Sequence, residues 1–202
     1  MDDLKTGVDG AIRCAWCVGD PEYQRYHDEE WGRPVNDTTR LFEKICLEGF
    51  QAGLSWLTIL KRRERLRDCF HRFDFHRVAK MTEADVQRLL SDATIIRHRG
   101  KIEATIHNAS RAIDMERRPG GLKSFLWQFQ PSRSTSYERF ADVPAITPES
   151  KAMSRELKRA GWKFVGPTTC YALMQAMGMV NDHLVGCDWH SQMRQPRGAS
   201  NT

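Results

Sequence analysis

LFEKICLEGFQAGLSW, residues 41–56, carries the plainest helical signal in the chain. Leu41, Ile45 and Glu48 recur at i, i+4 and i+7, the repeat of one helical face. Asn36 and Asp37 stand just ahead as capping residues, so the spacing predicts a helix that runs to about 46–48 and is stopped by Gly49. Beyond a glycine-bounded turn, Ser55 caps a second amphipathic helix over about 56–70.

Working outward, helix punctuation continues and strand signals are nearly absent. Thr82 and Asp85 form a box-like pair that opens a helix, with Met81 and Val86 at staple positions. Ile102, Ile106, Ala109 and Ile113 repeat at helical spacing until Pro119, Gly120 and Gly121 end the run. Thr147 followed by Pro148 starts a helix through Met153 and Leu157 that Gly161 ends. A last core helix over about 168–177 stops at Gly178, 131–146 reads as a loop, and 191–202 reads as a polar tail. There is no internal repeat. The class is all-α.

At 202 residues and 40% hydrophobic composition, the chain suits a single core. No apolar run approaches the roughly 20 residues that span a bilayer. The opening MDDLKTGVDGAIR lacks the apolar stretch of a signal peptide, so the expected location is the cytoplasm. A net charge of +5 is compatible with a polyanionic partner and does not by itself identify one. In such a compartment the six cysteines are core residues or metal ligands rather than disulfides. Cys46, Cys69 and Cys170 sit in apolar helical patterns and belong to the core.

Three constellations carry chemistry. His183 and Cys187, four apart, share one face of a helical turn, and Cys14 with His27 could complete a closed four-ligand site joining the two chain ends. Cys17 competes with His27 for that role, because Cys14 and Cys17 are themselves spaced like a ligand pair, and buried thiols with satisfied histidines would explain the same residues. The second constellation gathers Trp16, Tyr23, Tyr26 and Trp31 with Glu48 and Trp56. A carboxylate on an apolar helix stripe is desolvated unless something binds it, and aromatic faces beside it suit a flat, cationic or hydrogen-bonding ring. An aromatic core pair with a glutamate escaping to the helix end is the bland alternative. The third is the basic turn IIRHRGKI at 95–102, where Arg97, Arg99, Lys101 and the backbone around Gly100 could take DNA phosphates. Such charge runs are also common on solvated turns.

In order along the chain, these stretches resemble the DNA-3-methyladenine glycosylase I family of the helix-hairpin-helix glycosylase superfamily. The carrying motifs are RCAW at 13–16, YHDEEWG at 26–32, LFEKICLEGFQAGLSW at 41–56, IIRHRGKI at 95–102, KFVGPT at 163–168 and VNDHLVGC at 180–187. The resemblance implies a helix-hairpin-helix glycosylase fold over 13–187, with a helical core at 36–178, a hairpin at 94–101 and metal-binding segments at 13–35 and 179–187. It leaves 1–12 and 188–202 as flexible tails. It implies a structural zinc held by Cys14, His27, His183 and Cys187, which makes Cys17 a bystander. It places the base pocket on Glu48, Tyr26 and Trp56, lined by Trp16 and Tyr23, and DNA contacts on Arg97, Arg99, Gly100, Lys101 and Thr168. Two positions depart from the pattern: Thr94 stands where a glycine is expected to open the hairpin, and Pro167 precedes Thr168 in a DNA-facing loop.

The function so implied is hydrolysis of the N-glycosidic bond of 3-methyladenine in double-stranded DNA, by a monomer without lyase activity. Many enzymes of the superfamily use an aspartate for this, and residues 164–169 offer none. A methylated, cationic adenine leaves as a neutral purine and needs less assistance. Two rivals stand beside this reading: a non-catalytic binder of damaged DNA on the same frame, and a glycosylase with a broader range of alkylated bases.

Overall fold

The computed structural model describes residues 2–193, and helices dominate it. A short antiparallel pair, β1 (Leu4–Thr6) and β2 (Ile12–Cys14), precedes them in the register Leu4↔Cys14. Residues 1–12 were expected to form a tail; instead β1 is paired, because its backbone finds partners in β2 and Asp3 reaches the rest of the molecule. Helix α1 (Pro21–Glu29) is capped by Asp20, which accepts from the N–H groups of Glu22 and Tyr23.

Helix α2 (Thr38–Gln51) starts at the Asp37 cap and is the centre of the molecule, with residues 41–50 all buried. It does not stop at Gly49. A Cβ there would lie 3.3 Å from Cβ of Phe164, so this glycine lets a distant turn approach the helix rather than ending it. The segment expected as one helix over 56–70 is two, α3 (Trp56–Leu60) and α4 (Arg63–Cys69), separated at Arg62 (φ −109°, ψ 0°). The break brings buried Arg63 onto Glu30 at 2.7 Å, an ion pair that periodicity does not reveal.

A short helix α5 (Phe75–Val78) follows a left-handed turn at His71, Arg72 and Phe73. Then come α6 (Glu83–Ser91), with the Thr82–Asp85 capping box in place, and α7 (Arg99–Glu116), capped by His98. Residues 119–121 end α7 as expected but also launch α8 (Gly121–Trp127), whose Leu122, Phe125 and Leu126 are buried. Residues 131–146 contain only a 3-10 turn at Phe140–Asp142. Helix α9 (Pro148–Arg159) begins at the Thr147 cap, α10 (Pro167–Ala176) follows a tight turn, and α11 (Asp188–Gln192) comes after the metal-ligand candidates. Residues 188–192 are therefore helical rather than a tail, and the stretch of that expected tail from 194 onward lies outside the described residues. Pro167 occupies the first turn of α10, where a missing N–H leaves nothing unpaired. Among the described residues, no helix is long and apolar enough to cross a membrane.

Candidate functional site

A cleft of about 220 Å³ opens between α1, α2, α3 and α10, lined by Trp16, Tyr23, Tyr26, Trp31, Glu48, Gln51, Trp56, Phe140, Ala172 and Gln175. The five pocket residues read from the sequence are all in it. Helix α1 delivers Tyr23 and Tyr26 three apart on one face, and Trp16 meets Tyr23 with ring centroids 4.7 Å apart. Trp56, at the first turn of α3, tilts against Tyr26 at 5.4 Å. Glu48 enters from α2.

Glu48 is 4% exposed, its Oε2 has no hydrogen-bond partner, and neither has Nε1 of Trp56. An unpaired buried polar atom costs about 1–3 kcal/mol, more when charged, so two of them at one cleft mark a place prepared for a ligand. Burial pushes the Glu48 carboxyl up to about 8 against the opposing pull of the Lys44 ammonium one turn earlier on α2. Lys44 is itself buried, pushed down to about 8, with Nζ 5.8 Å from the Tyr26 ring centroid. A cation arriving in the cleft would favour ionised Glu48. The ring faces and the orphan donor of Trp56 add stacking and one directed hydrogen bond.

The second cluster lies behind Trp16. Ligand atoms of Cys14, His27, His183 and Cys187, all buried, lie within 4.8 Å of one another and could hold a metal ion. Tetrahedral ligands about 2.0–2.3 Å from a zinc ion would stand about 3.3–3.8 Å apart. Here Nδ1 of His183 is 3.1 Å from Nε2 of His27, and Sγ of Cys187 is 3.7 Å from the first nitrogen and 3.6 Å from the second. The residues fit the ion. The other ring nitrogens are held as metal-bound imidazoles require: Nδ1 of His27 pairs with Asp28 at 2.7 Å, and Nε2 of His183 lies 3.2 Å from the carbonyl of Trp31. Asp28 is fixed in turn by buried Arg13 at 2.8 Å. Hydrogen bonds from Cys14 and both histidines draw the Cys187 thiol well below the ordinary thiol range, while its neighbour Cys14 is pushed up. Cys17 is buried outside the cluster and donates to the carbonyl of Cys14 at 3.2 Å.

The basic turn between α6 and α7 is less free than its sequence suggests. Lys101, expected on phosphate, is 7% exposed and donates Nζ to the carbonyls of Phe50 at 2.8 Å and Ala52 at 2.6 Å. It closes the C-terminal end of α2, whose last carbonyls lack helical partners. Arg99 pairs with Glu83 and Glu103, each at 2.9 Å, so its charge is neutralised at home. Arg97 is exposed and forms no ion pair among the described residues. Gly100 lies in the first turn of α7, and Thr94 bonds Asp92 and Arg65.

A second helix–turn–helix joins α9 to α10. Phe164 adopts φ +57°, a conformation that favours glycine, and is 38% exposed beside Lys163. The turn is clamped from both sides: Asn108 exchanges two hydrogen bonds with the backbone of Lys163, at 3.0 and 2.9 Å, and Ser154 donates to the carbonyl of Val165 at 2.6 Å. Thr168 is exposed at the first turn of α10.

The methyladenine glycosylase family model matches residues 16–191. The chain belongs to that family. It is 53% identical over 178 residues to DNA-3-methyladenine glycosylase 1 of Escherichia coli (strain K12), covering 87% of this chain and 95% of that one. It is 46% identical to DNA-3-methyladenine glycosylase of Haemophilus influenzae, covering 87% and 96%. The structure describing 3-methyladenine recognition by 3-methyladenine DNA glycosylase I from Staphylococcus aureus superimposes with a TM-score of 0.84 at 34% identity, covering 92% of this chain and 98% of that one.

Some residues in or next to this family member's cleft escaped the sequence reading. Lys44, which does not line the cleft but stands beside the Tyr26 ring, was legible in principle, because it precedes Glu48 by one helical turn. Gln175, whose Nε2 donates to buried Asp182 at 2.7 Å, and Phe140 carry no local signal, since they come from distant elements.

Proposed function

We propose that the chain is a monofunctional DNA glycosylase that removes 3-methyladenine from duplex DNA and leaves an abasic site. The observation that carries this is the orphan Glu48 carboxylate facing an aromatic cleft, in a chain whose relatives are 3-methyladenine DNA glycosylases. The target nucleotide is extruded from the stack, at a cost of a few kcal/mol, into that cleft. Methylation makes the adenine cationic; Glu48 accepts from the purine edge and stabilises that charge, Trp56 stacks on the ring, and Tyr26 orients it, with Trp16 and Tyr23 closing the sides. The bond from C1′ to the base breaks with its electron pair going to the purine, which leaves neutral. Water bonds to C1′ and loses a proton. No lysine lies among the cleft residues to form a covalent intermediate, in keeping with hydrolysis alone.

The duplex is held through phosphates by Arg97, by the free N–H groups at the starts of α7, around Gly100, and α10, and by Thr168. Lys101 is committed inside the protein, and Arg99, on the surface, is paired with Glu83 and Glu103. Zinc on Cys14, His27, His183 and Cys187 would tie the N-terminal segment to the segment before α11; four protein ligands leave no position for substrate, so its contribution is structural. One chain supplies every site residue, so a monomer suffices, and a bacterial enzyme of this kind works in the cytoplasm where the DNA is.

A duplex carrying one 3-methyladenine tests this reading. The protein should leave an alkali-labile abasic site with the strand intact before alkali. Tight binding with no abasic product identifies a damage-binding module instead.

A further inference from the structure

Phe140 lines the cleft although it comes from the irregular 131–146 segment. Three fastenings hold it there. Its own N–H donates to Oδ2 of Asp3 at 3.0 Å, across 137 positions of sequence. Three residues earlier, the carbonyl of Tyr137 accepts from the N–H of Val185 at 2.8 Å. Its ring shares an apolar cluster with Leu4 and Trp16. Asp3 is itself fixed, because its carbonyl accepts from the N–H of Ala15 at 2.9 Å and the next residue, Leu4, pairs with Cys14. Strand β1 lies before the family match, which begins at residue 16.

We infer that Phe140 is a specificity-determining wall of the base cleft and that Asp3 is the residue that positions it. An aromatic side chain on an irregular segment samples many placements, and each placement that opens the cleft lowers its affinity in proportion to the population lost. Anchoring the backbone N–H of Phe140 to a carboxylate removes that freedom at the one residue of 131–146 that lines the cleft. The wall beside Trp16 then sets how much alkyl bulk an adenine can carry into a space of about 220 Å³. This inference rests on the proposed glycosylase activity and adds a limit on substrate size that β1 controls.

The test uses the full chain and its Asp3→Ala, Asp3→Asn and Phe140→Ala variants. Each is assayed for binding of free 3-methyladenine and for single-turnover excision from duplexes carrying 3-methyladenine or 3-ethyladenine, with metal content and thermal midpoint measured alongside. Asp3→Ala and Phe140→Ala should weaken 3-methyladenine binding on the order of tenfold and narrow the preference for the methyl over the ethyl base by a similar factor. Asp3→Asn keeps an acceptor oxygen and should stay close to the unmodified protein. If Asp3→Ala fails to fold, Phe140→Ala, which leaves the strand pair untouched, carries the selectivity test and Asp3→Asn the positioning test. An unchanged methyl-to-ethyl ratio in Phe140→Ala, or an Asp3→Asn protein as impaired as an unanchored one, overturns the inference. An unmodified chain that releases neither base refutes the proposed activity and this inference with it. An active unmodified chain with indifferent variants refutes this inference alone.

Discussion

Glu48→Gln should make the free protein more stable at alkaline pH while destroying its hold on the base. The carboxyl is buried without a partner for Oε2 and is pushed up from its ordinary 4.5 to about 8. At about 1.36 kcal/mol per pH unit, keeping it ionised in the folded chain costs roughly 4–5 kcal/mol once the pH exceeds 8. Because the folded value lies above the unfolded one, the linked stability is complete below 4.5 and is lost as pH rises through about 8. Glutamine carries no charge to bury but leaves an amide needing partners, at a cost of about 1–3 kcal/mol. The difference favours the variant by about 2 kcal/mol at pH 8.5, or roughly 4–8 °C for a chain of this length. At pH 5 the advantage should vanish or reverse. Binding moves the other way: losing a hydrogen bond to a charged acceptor, about 1.5–3 kcal/mol, weakens free 3-methyladenine roughly ten- to a hundredfold. The assay is thermal unfolding at pH 5, 7 and 8.5 for both proteins, with a titration of free base beside it. A variant less stable than the unmodified chain at pH 8.5, or a difference that ignores pH, would mean that Glu48 does not stand buried and unpaired for a ligand.

Other consequences follow from the same structure. Cys187→Ala and His27→Ala should lose bound zinc and stability by metal analysis and calorimetry, whereas Cys17→Ala keeps the metal; the opposite pattern would exchange Cys17 for His27 in the ligand set. Lys101→Met removes two charge-assisted hydrogen bonds and should destabilise the chain by about 2–4 kcal/mol in denaturant titrations, leaving the salt dependence of DNA binding unchanged. Arg97→Ala should lower the slope of log K against log salt by about 1, and an unchanged slope would move the phosphate contact elsewhere. Single-turnover excision at subsaturating protein should rise with pH between about 6 and 8 as Glu48 ionises, and a flat profile would separate recognition from its charge.

The periodic elements were the most legible part of this chain. Leu41, Ile45 and Glu48 defined the face of α2, and Ser55, Thr82 and Thr147 start their helices where capping chemistry places them. Reading Gly49 as a stop failed because a glycine also serves close packing, and its neighbour Phe164 is over a hundred residues away. The break at Arg62 goes with a long-range partner, Glu30 on Arg63, which periodicity cannot contain, and β1 and β2, three residues each, are too short to show an alternating pattern. At the site, aromatic residues and a carboxylate on one stripe were visible locally. The fate of Lys101 was not, because whether a lysine meets phosphate or a helix end is settled by tertiary placement. Family resemblance supplied what spacing left open between Cys17 and His27, and the gathered ligand atoms agree with His27.

An unpaired glutamate in an aromatic cleft is proposed to select a cationic methylated adenine for release. Mass spectrometry of the free bases liberated from randomly methylated duplex DNA, by the unmodified chain and by Glu48→Gln, tests it most directly. The unmodified chain should release 3-methyladenine as the main base, and the variant almost none. Release of other methylated bases in comparable yield, or a Glu48→Gln protein that releases 3-methyladenine at the unmodified rate, would contradict it.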